Sequence, residues 1–208
     1  MLNEVKLKGV LSNIQPSHTV RGIEYYRGEI TTKRQDGKGD VVNLKFKRFS
    51  CPYKDDDVVS LIGNVRSYIH KENGENRTEV YVYTYFDPAE TADNINGEEK
   101  NNVIQIQGVI YKKKPLWSGA TGKHNISFML YNDLADADGK KSIRSFIPCV
   151  AHGEMAKLID EVPIGSLADI TGEIHSRTYE KKNGEDSEIR VVHEVEVLEI
   201  STVNKVEG

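Results

Sequence analysis

The sequence predicts an all-β fold with one short helix, built as two similar domains in tandem. Two observations carry that prediction: apolar residues alternate with polar ones along most of the chain, and the chain repeats its own landmarks in order. Asn3-Glu-Val5-Lys-Leu7-Lys-Gly9-Val10-Leu11 is echoed by Asn102-Val-Ile104-Gln-Ile106-Gln-Gly108-Val109-Ile110, with the two glycines 99 residues apart. Later, Ile62-Gly63-Asn64-Val65 is matched by Ile170-Thr171-Gly172-Glu173-Ile174, and Lys71-Glu72-Asn73-Gly74-Glu75 by Lys182-Asn183-Gly184-Glu185. A repeat of that length is a domain rather than a solenoid unit, and 208 residues suffice for two modest cores.

Each element follows from a local pattern. Half-buried strands are expected where Val5/Leu7, Leu44/Phe46, Val80/Val82, Ile104/Ile106, Ile126/Phe128/Leu130, Ile189/Val191 and Val195/Val197 alternate with polar neighbours. Turn signals separate them: Arg21-Gly22, Gln35-Asp36-Gly37, Asn73-Gly74, Ala137-Asp138-Gly139 and Asn183-Gly184. Only residues 152–159 look helical, with Met155, Leu158 and Ile159 at i, i+3 and i+4 ahead of Pro163. About five strands per copy, with a helix between the third and fourth strands of the second, is the order of a five-stranded Greek-key barrel, the OB-fold. The expected organisation is two tandem OB-folds: 1–87, divergent and lacking the helix, and 102–203. An acidic, polar linker at 88–101 joins them, and residues 204–208 form a tail without marked character.

The net charge is −4, and it divides unevenly. Residues 1–88 carry 14 Lys/Arg against 12 Asp/Glu, 89–101 carry 1 against 4, and 102–208 carry 13 against 16. No global basic footprint exists, which argues against nucleic acid at the level of the whole chain, yet a groove needs only a local excess. No segment approaches the roughly 20 apolar residues that span a bilayer, and the N-terminus alternates Val and Leu with Lys, so a cytoplasmic protein without membrane contact is expected. Cys51 and Cys149 sit in separate copies without a CxxC pair and are read as reduced, packed thiols.

The search for chemistry finds no catalytic, metal or cofactor site. No HExxH occurs among the six histidines. Gly119-Ala-Thr-Gly122-Lys123-His124 departs from a phosphate loop, with Trp117 where a glycine is required and His124 where Ser or Thr is. Asp55-Asp56-Asp57 lacks the alternating ligands and glycine of a calcium loop. The expectation is a binding protein, not an enzyme.

In the second copy the matching motifs are Asn102-Val-Ile-Gln-Ile-Gln-Gly108, Asn125-Ile-Ser-Phe128, Phe146-Ile-Pro-Cys-Val-Ala-His152-Gly153 leading into the helix, Gly165-Ser-Leu-Ala-Asp-Ile-Thr-Gly172-Glu-Ile174, and the hairpin from Arg177-Thr-Tyr179 to Glu194-Val-Glu-Val197. Over about 100 residues this ordered set resembles the bacterial and phage single-stranded DNA-binding protein family. The resemblance implies base stacking by aromatic side chains on the outer barrel face, at positions that fall on Phe146, His152 and Tyr179. The first copy resembles the family only at second hand: Ser50 to Asp57 is too short for the family's helix. The chain also lacks the acidic tail ending in Phe through which many members recruit partners, and its tandem form looks like the minority of members with two OB-folds per chain, or a phage or mobile-element relative.

A protein that holds single strands without reading sequence needs cations along the phosphates and flat π-faces for the bases. In Asn43-Leu-Lys45-Phe-Lys47-Arg48-Phe49, Leu44 and Phe46 face one way and Lys45 and Lys47 the other: a phosphate stripe or an ordinary solvated face. Lys112-Lys113-Lys114-Pro115-Leu116-Trp117 joins three charges to the only tryptophan, either a binding loop or a lid over the core. Tyr81, Tyr83 and Tyr85 share one face of a strand, for stacking, cross-strand pairing or an inter-domain contact. Tyr68, His70 and Lys71 stand where the second copy has Arg177 and Tyr179, and Tyr25, Tyr26 and Arg27 form a further cluster in which one tyrosine must be partly buried. The leading expectation is binding and protection of single-stranded DNA in replication or recombination. The alternatives are an OB-fold module that binds a replication or host protein, and RNA binding. A homodimer would present four OB-folds.

Overall fold

The computed structural model describes residues 1–34, 37–72, 74–85, 101–120, 122–135, 142–183 and 186–203. The expected linker lies outside these apart from Asn101, as does the expected tail. The strands among the described residues are β1 (Asn3–Val20), β2 (Ile23–Lys33), β3 (Gly39–Lys47), β4 (Val58–Glu72), β5 (Glu75–Tyr85), β6 (Asn102–Lys113), β7 (Trp117–Ser118), β8 (His124–Ala135), β9 (Ser142–His152), β10 (Leu167–Asn183) and β11 (Asp186–Val203), with one helix, α1 (Gly153–Glu161).

Two barrels close within this set. In the first, β1 pairs with both β2 and β4, β2 with β3, β4 with β5, and a short parallel contact of Leu44 with Val82 closes β3 on β5. The second repeats the scheme with β6, β8, β9, β10 and β11, closed by the parallel contact of Cys149 with Val195. This is the all-β, two-OB-fold architecture that the alternation predicts. Leu7, Leu11, Ile30, Leu44 and Phe46 fill one barrel and Ile104, Ile106, Ile110, Ile126, Leu130 and Ile147 the other, all essentially without solvent contact. Each such side chain contributes about 1.5–3 kcal/mol.

The repeated glycines mark places where two strands touch. A Cβ on Gly9 would lie 2.1 Å from the Thr31 carbonyl oxygen, and one on Gly108 would lie 2.6 Å from that of Tyr131; Gly63 and Gly172 meet the Tyr83 and Glu196 carbonyls at 2.5 and 2.2 Å in the same way. The repeated asparagines have an equally local cause. Buried Asn3 donates to the Val65 carbonyl (2.8 Å) and accepts from the Val65 amide (2.9 Å), while Asn102 does the same at Ile174 (2.7 and 3.0 Å).

The copies differ in how the third strand reaches the fourth. The second uses α1, which buries Ala156 and Ile159. The first uses one 3-10 turn at Arg48–Ser50 and an irregular segment that buries Cys51. Both connections land alike: Leu11 donates to the Asp57 carbonyl and accepts from the Asp56 amide, as Ile110 does with Ser166 and Gly165, and Asp56 and Gly165 both have positive φ (70° and 92°).

Two details depart from expectation. Ile189 and Val191 are exposed (76% and 56%), because the β10–β11 hairpin runs beyond the barrel and leaves alternation there without a core. Leu158 is also exposed, and α1 packs through Ala156 and Ile159 instead. Both cysteines are free and buried, as expected, and burial pushes both thiols up from their ordinary pKa.

The barrels are joined by their first strands. β1 and β6 pair antiparallel, Asn3 opposite Ile106, Val5 opposite Ile104 and Leu7 opposite Asn102. Since Val5 and Ile104 are equivalent in the repeat, the pair sits on a local twofold axis that relates the barrels. The axis generates two junctions. At one, the Ser67 hydroxyl donates to the Phe146 carbonyl and accepts from the Phe146 amide, both at 2.9 Å, while the Ser67 amide approaches Ser145 Oγ (3.4 Å). At the other, equivalent Ser176 accepts from the Val41 amide (3.1 Å) and donates its own amide to Asp40 Oδ1 (2.7 Å). Asp40 is fully buried and also receives a bidentate contact from Arg34 (2.5 Å twice) and His175 Nδ1 at 3.0 Å. The β4–β5 and β10–β11 hairpins are cross-linked by Arg77 to Glu188 (2.5 Å) and Arg190 to Glu75 (3.2 Å).

Two outcomes test this architecture. Gly108→Ala should destabilise the chain by about 1–3 kcal/mol in urea unfolding, because the obstacle is backbone and a buried Leu130 side chain. Burial alone would raise the Asp40 pKa, but the hydrogen bonds from Arg34 and Ser176 and the His175 and Arg34 charges outweigh it and hold the carboxyl below the usual range. A depressed carboxylate stabilises the fold above its unfolded pKa and loses that contribution as pH falls. The stability gap between the native chain and Asp40→Asn should therefore be constant at neutral pH and shrink below about pH 4.

Candidate nucleic-acid interface

On the first barrel, alternation along β3 turns Leu44 and Phe46 inward and Lys45 and Lys47 outward. Lys45 does not project alone into solvent. Its ammonium lies 4.0 Å from the Tyr68 ring centre and 4.2 Å from that of Tyr81, two rings that meet edge to face at 5.9 Å. Glu79 anchors the group, 3.2 Å from Lys45 and accepting a hydrogen bond from the Tyr68 hydroxyl. A cation wedged between two π-faces holds both rings in fixed orientation. Beside it a cavity of about 550 Å³ is lined by Asn13, Gln15, Arg27, Asn43, Lys45 and Tyr68 among others.

The neighbouring candidates separate by burial. Tyr83 shares the outward face, but the Arg66 guanidinium covers its ring at 4.1 Å and only 9% remains exposed, so it offers no open face to a base. The Tyr85 side chain lies outside the described residues. Lys47 lies 5.6 Å over Phe49, which is 75% exposed, and Arg48 covers Tyr26 at 5.3 Å while donating to the Cys51 carbonyl. Tyr26 packs on the core, and Tyr25 instead stacks flat on His18 at 4.9 Å at the far end of the β1–β2 hairpin. His70 lies 5.5 Å from Tyr68, and Lys71 is exposed beyond it.

On the second barrel Phe146 stands outward and half buried between Tyr111 (5.0 Å) and Tyr131 (5.4 Å). This triad was only partly legible: Tyr131 stands outside the apolar phase of Ile126, Phe128 and Leu130, on the face Phe146 shares across the strand pair, and alternation alone would have found it. Tyr111 follows inward Ile110 at a bulge and is 58% exposed. Trp117 is also exposed, its ring lying over Gly119, where a Cβ would come within 2.5 Å of it. Of the adjacent lysines, Lys112 and Lys114 face solvent. Lys113 instead donates to the Ile159, Asp160 and Val162 carbonyls at 2.6–3.0 Å, so its charge closes the C-terminal end of α1 and is withheld from a ligand.

His152, Arg177 and Tyr179 lie apart from that triad. Arg177 is 3.2 Å from Glu194 and 5.6 Å from the Tyr179 ring; His152 bonds Asn125 Oδ1 through Nδ1 (2.5 Å) and turns Nε2 toward Glu196 (4.0 Å). A cavity of about 380 Å³ here also holds Arg34, His175, Ser176 and Glu196. Among the described residues, no group of three histidine, cysteine or carboxylate side chains is arranged to hold a metal ion, and no helix is long and apolar enough to cross a membrane.

No protein-family model and no curated protein matches the chain. Solved structures do. Wild-type single-stranded DNA-binding protein from Thermus aquaticus is 15% identical and superposes with a TM-score of 0.71 over 98% of this chain and 94% of its own. A deletion mutant of the same protein gives 0.69 at 16% identity, over 97% and 94%. At such identities the likeness establishes the fold, and it extends over nearly the whole of both chains: this protein shares the architecture of the Thermus aquaticus single-stranded DNA-binding protein.

Proposed function

We propose that the chain binds single-stranded DNA without reading its sequence, as a non-enzymatic binding protein of replication or recombination. One observation carries the reading: outward aromatic clusters stand on both barrels at the Ser67–Phe146 junction, Tyr68 and Tyr81 around Lys45 on one side and Tyr111, Phe146 and Tyr131 on the other. Such rings stack on bases of any identity, and each stacked base is worth about 1–3 kcal/mol. Solvent-facing Lys112 and Lys114 supply cations on the second barrel, and exposed Trp117 adds a further face. The fold shared with the Thermus aquaticus protein supports the same reading.

A protein-interaction module is the second reading. The net charge of −4 favours it, and so does Lys45, whose charge is already met by Glu79.

Fluorescence anisotropy with labelled oligonucleotides separates the two. Oligo-dT should bind tightly and duplex of equal length much more weakly, because paired bases present no free π-face. The affinity for oligo-dT should fall with salt by about 0.7 log unit per log unit for each phosphate neutralised. Tyr81→Ala should weaken it by about 1–3 kcal/mol. Equal affinity for single strand and duplex, or none for either, contradicts single-strand binding and leaves the interaction module.

A further inference from the structure

The twofold axis through Val5 and Ile104 offers a strand two equivalent routes across the molecule, one over each junction. The register of the barrels makes the routes comparable position by position. Val65 and Ile174 are equivalent through their asparagines, which sets Ser67 against Ser176 and Tyr68 against Arg177. Cross-strand pairing then sets Tyr81 against Glu194 and Tyr83 against Glu196. The parallel closures set Leu44 against Cys149, hence Lys45 against Val150 and Val41 against Phe146. Thr31, paired with Val41, stands where Tyr131 pairs with Phe146.

The two routes have therefore become chemically opposite. Across the Ser67 junction runs Lys45 between Tyr68 and Tyr81, then Phe146 with Tyr111 and Tyr131. Across the Ser176 junction four of those five rings are replaced: Tyr68 by Arg177, Tyr81 by Glu194, Phe146 by Val41 and Tyr131 by Thr31. Arg34 is paired there with Asp40 and Arg177 with Glu194, as Lys45 is with Glu79 on the other route, so the routes differ in their rings and in their unmatched carboxylates. Two carboxylates, Glu173 and Glu196, converge on His175 Nε2 (3.4 and 3.2 Å), and Glu196 also faces His152 Nε2 (4.0 Å). A phosphate chain on this side meets carboxylate charge, and the tyrosine left beside the junction, Tyr179, is half buried with Arg177 over its ring at 5.6 Å.

We propose that a single strand crosses the molecule by the Ser67 junction alone, and that the Ser176 junction, with His152, Arg177 and Tyr179, stays clear of it. The proposal rests on the strand-binding reading and adds a path to it: one chain engages one strand along one side and gives it a fixed direction relative to the barrels.

The test is equilibrium binding of oligo-dT by the full chain, with substitutions at exposed or half-buried outward positions on each side, and circular dichroism to confirm that folding is preserved. Tyr68→Ala and Tyr111→Ala should each weaken binding by about fivefold to a hundredfold. Arg177→Ala and Tyr179→Ala should change it by less than about twofold, and Arg177→Glu, which adds charge on the excluded side, should be equally silent. Comparable losses from both pairs overturn the one-sided path while leaving single-strand binding intact. Absence of binding by the unaltered chain overturns the strand-binding reading and the path with it.

Discussion

The antiparallel pairing of β1 with β6 is the constraint on which the rest depends. Because the paired segments are copies of each other, and Val5 faces its own counterpart Ile104, the pairing imposes a twofold axis. That axis delivers each barrel's fourth strand to the other's third, so Ser67 reaches Phe146 and Ser176 reaches Val41 and Asp40. The buried asparagines set this up. Asn3 and Asn102 tie the start of each first strand to Val65 and Ile174, two residues before the serines that make the junctions. Asn3 also donates to Asn132 of the second barrel (2.9 Å), so one amide secures both its own barrel and the joint between them.

A symmetric frame does not require symmetric surfaces. Backbone close approach fixes Gly9, Gly63, Gly108 and Gly172 because a Cβ has nowhere to go, whereas outward side chains on the same strands have diverged freely. Tyr81 and Tyr83 on one barrel stand where the other has Glu194 and Glu196. The junctions diverged too. One is held by neutral hydroxyl and amide bonds, and the other by a buried carboxylate that gathers Arg34, His175 and Ser176. The second is costly unless every lone pair is met, and Asp40 meets that condition.

The fold was legible because its determinants are local. Inward pairs such as Leu44/Phe46 and Val195/Val197 announce strands by their spacing, the glycine landmarks announce the repeat, and the helix before Pro163 announces the barrel's connection. The same rule misread Ile189 and Val191, since alternation records which residues share a face and not whether a core lies beneath. The site was less legible for the same reason. Lysine in a run says nothing of its partner, so Lys113, bound to three carbonyls at the end of α1, looked like its neighbours. Tyr83 looked like Tyr81 until Arg66 was placed over it. The pairing of a ring on one barrel with a serine on the other depends on the β1–β6 register, which neither copy encodes by itself.

The central claim is that single-stranded DNA lies over outward rings at one barrel junction. Photo-cross-linking of a halogenated-uracil oligonucleotide to the full chain, with the adducts located by mass spectrometry, tests it most directly. The account predicts adducts at Tyr68, Tyr81, Tyr111 and Phe146. Adducts concentrated at Tyr179 and His152, or spread evenly over both sides of the molecule, would contradict it.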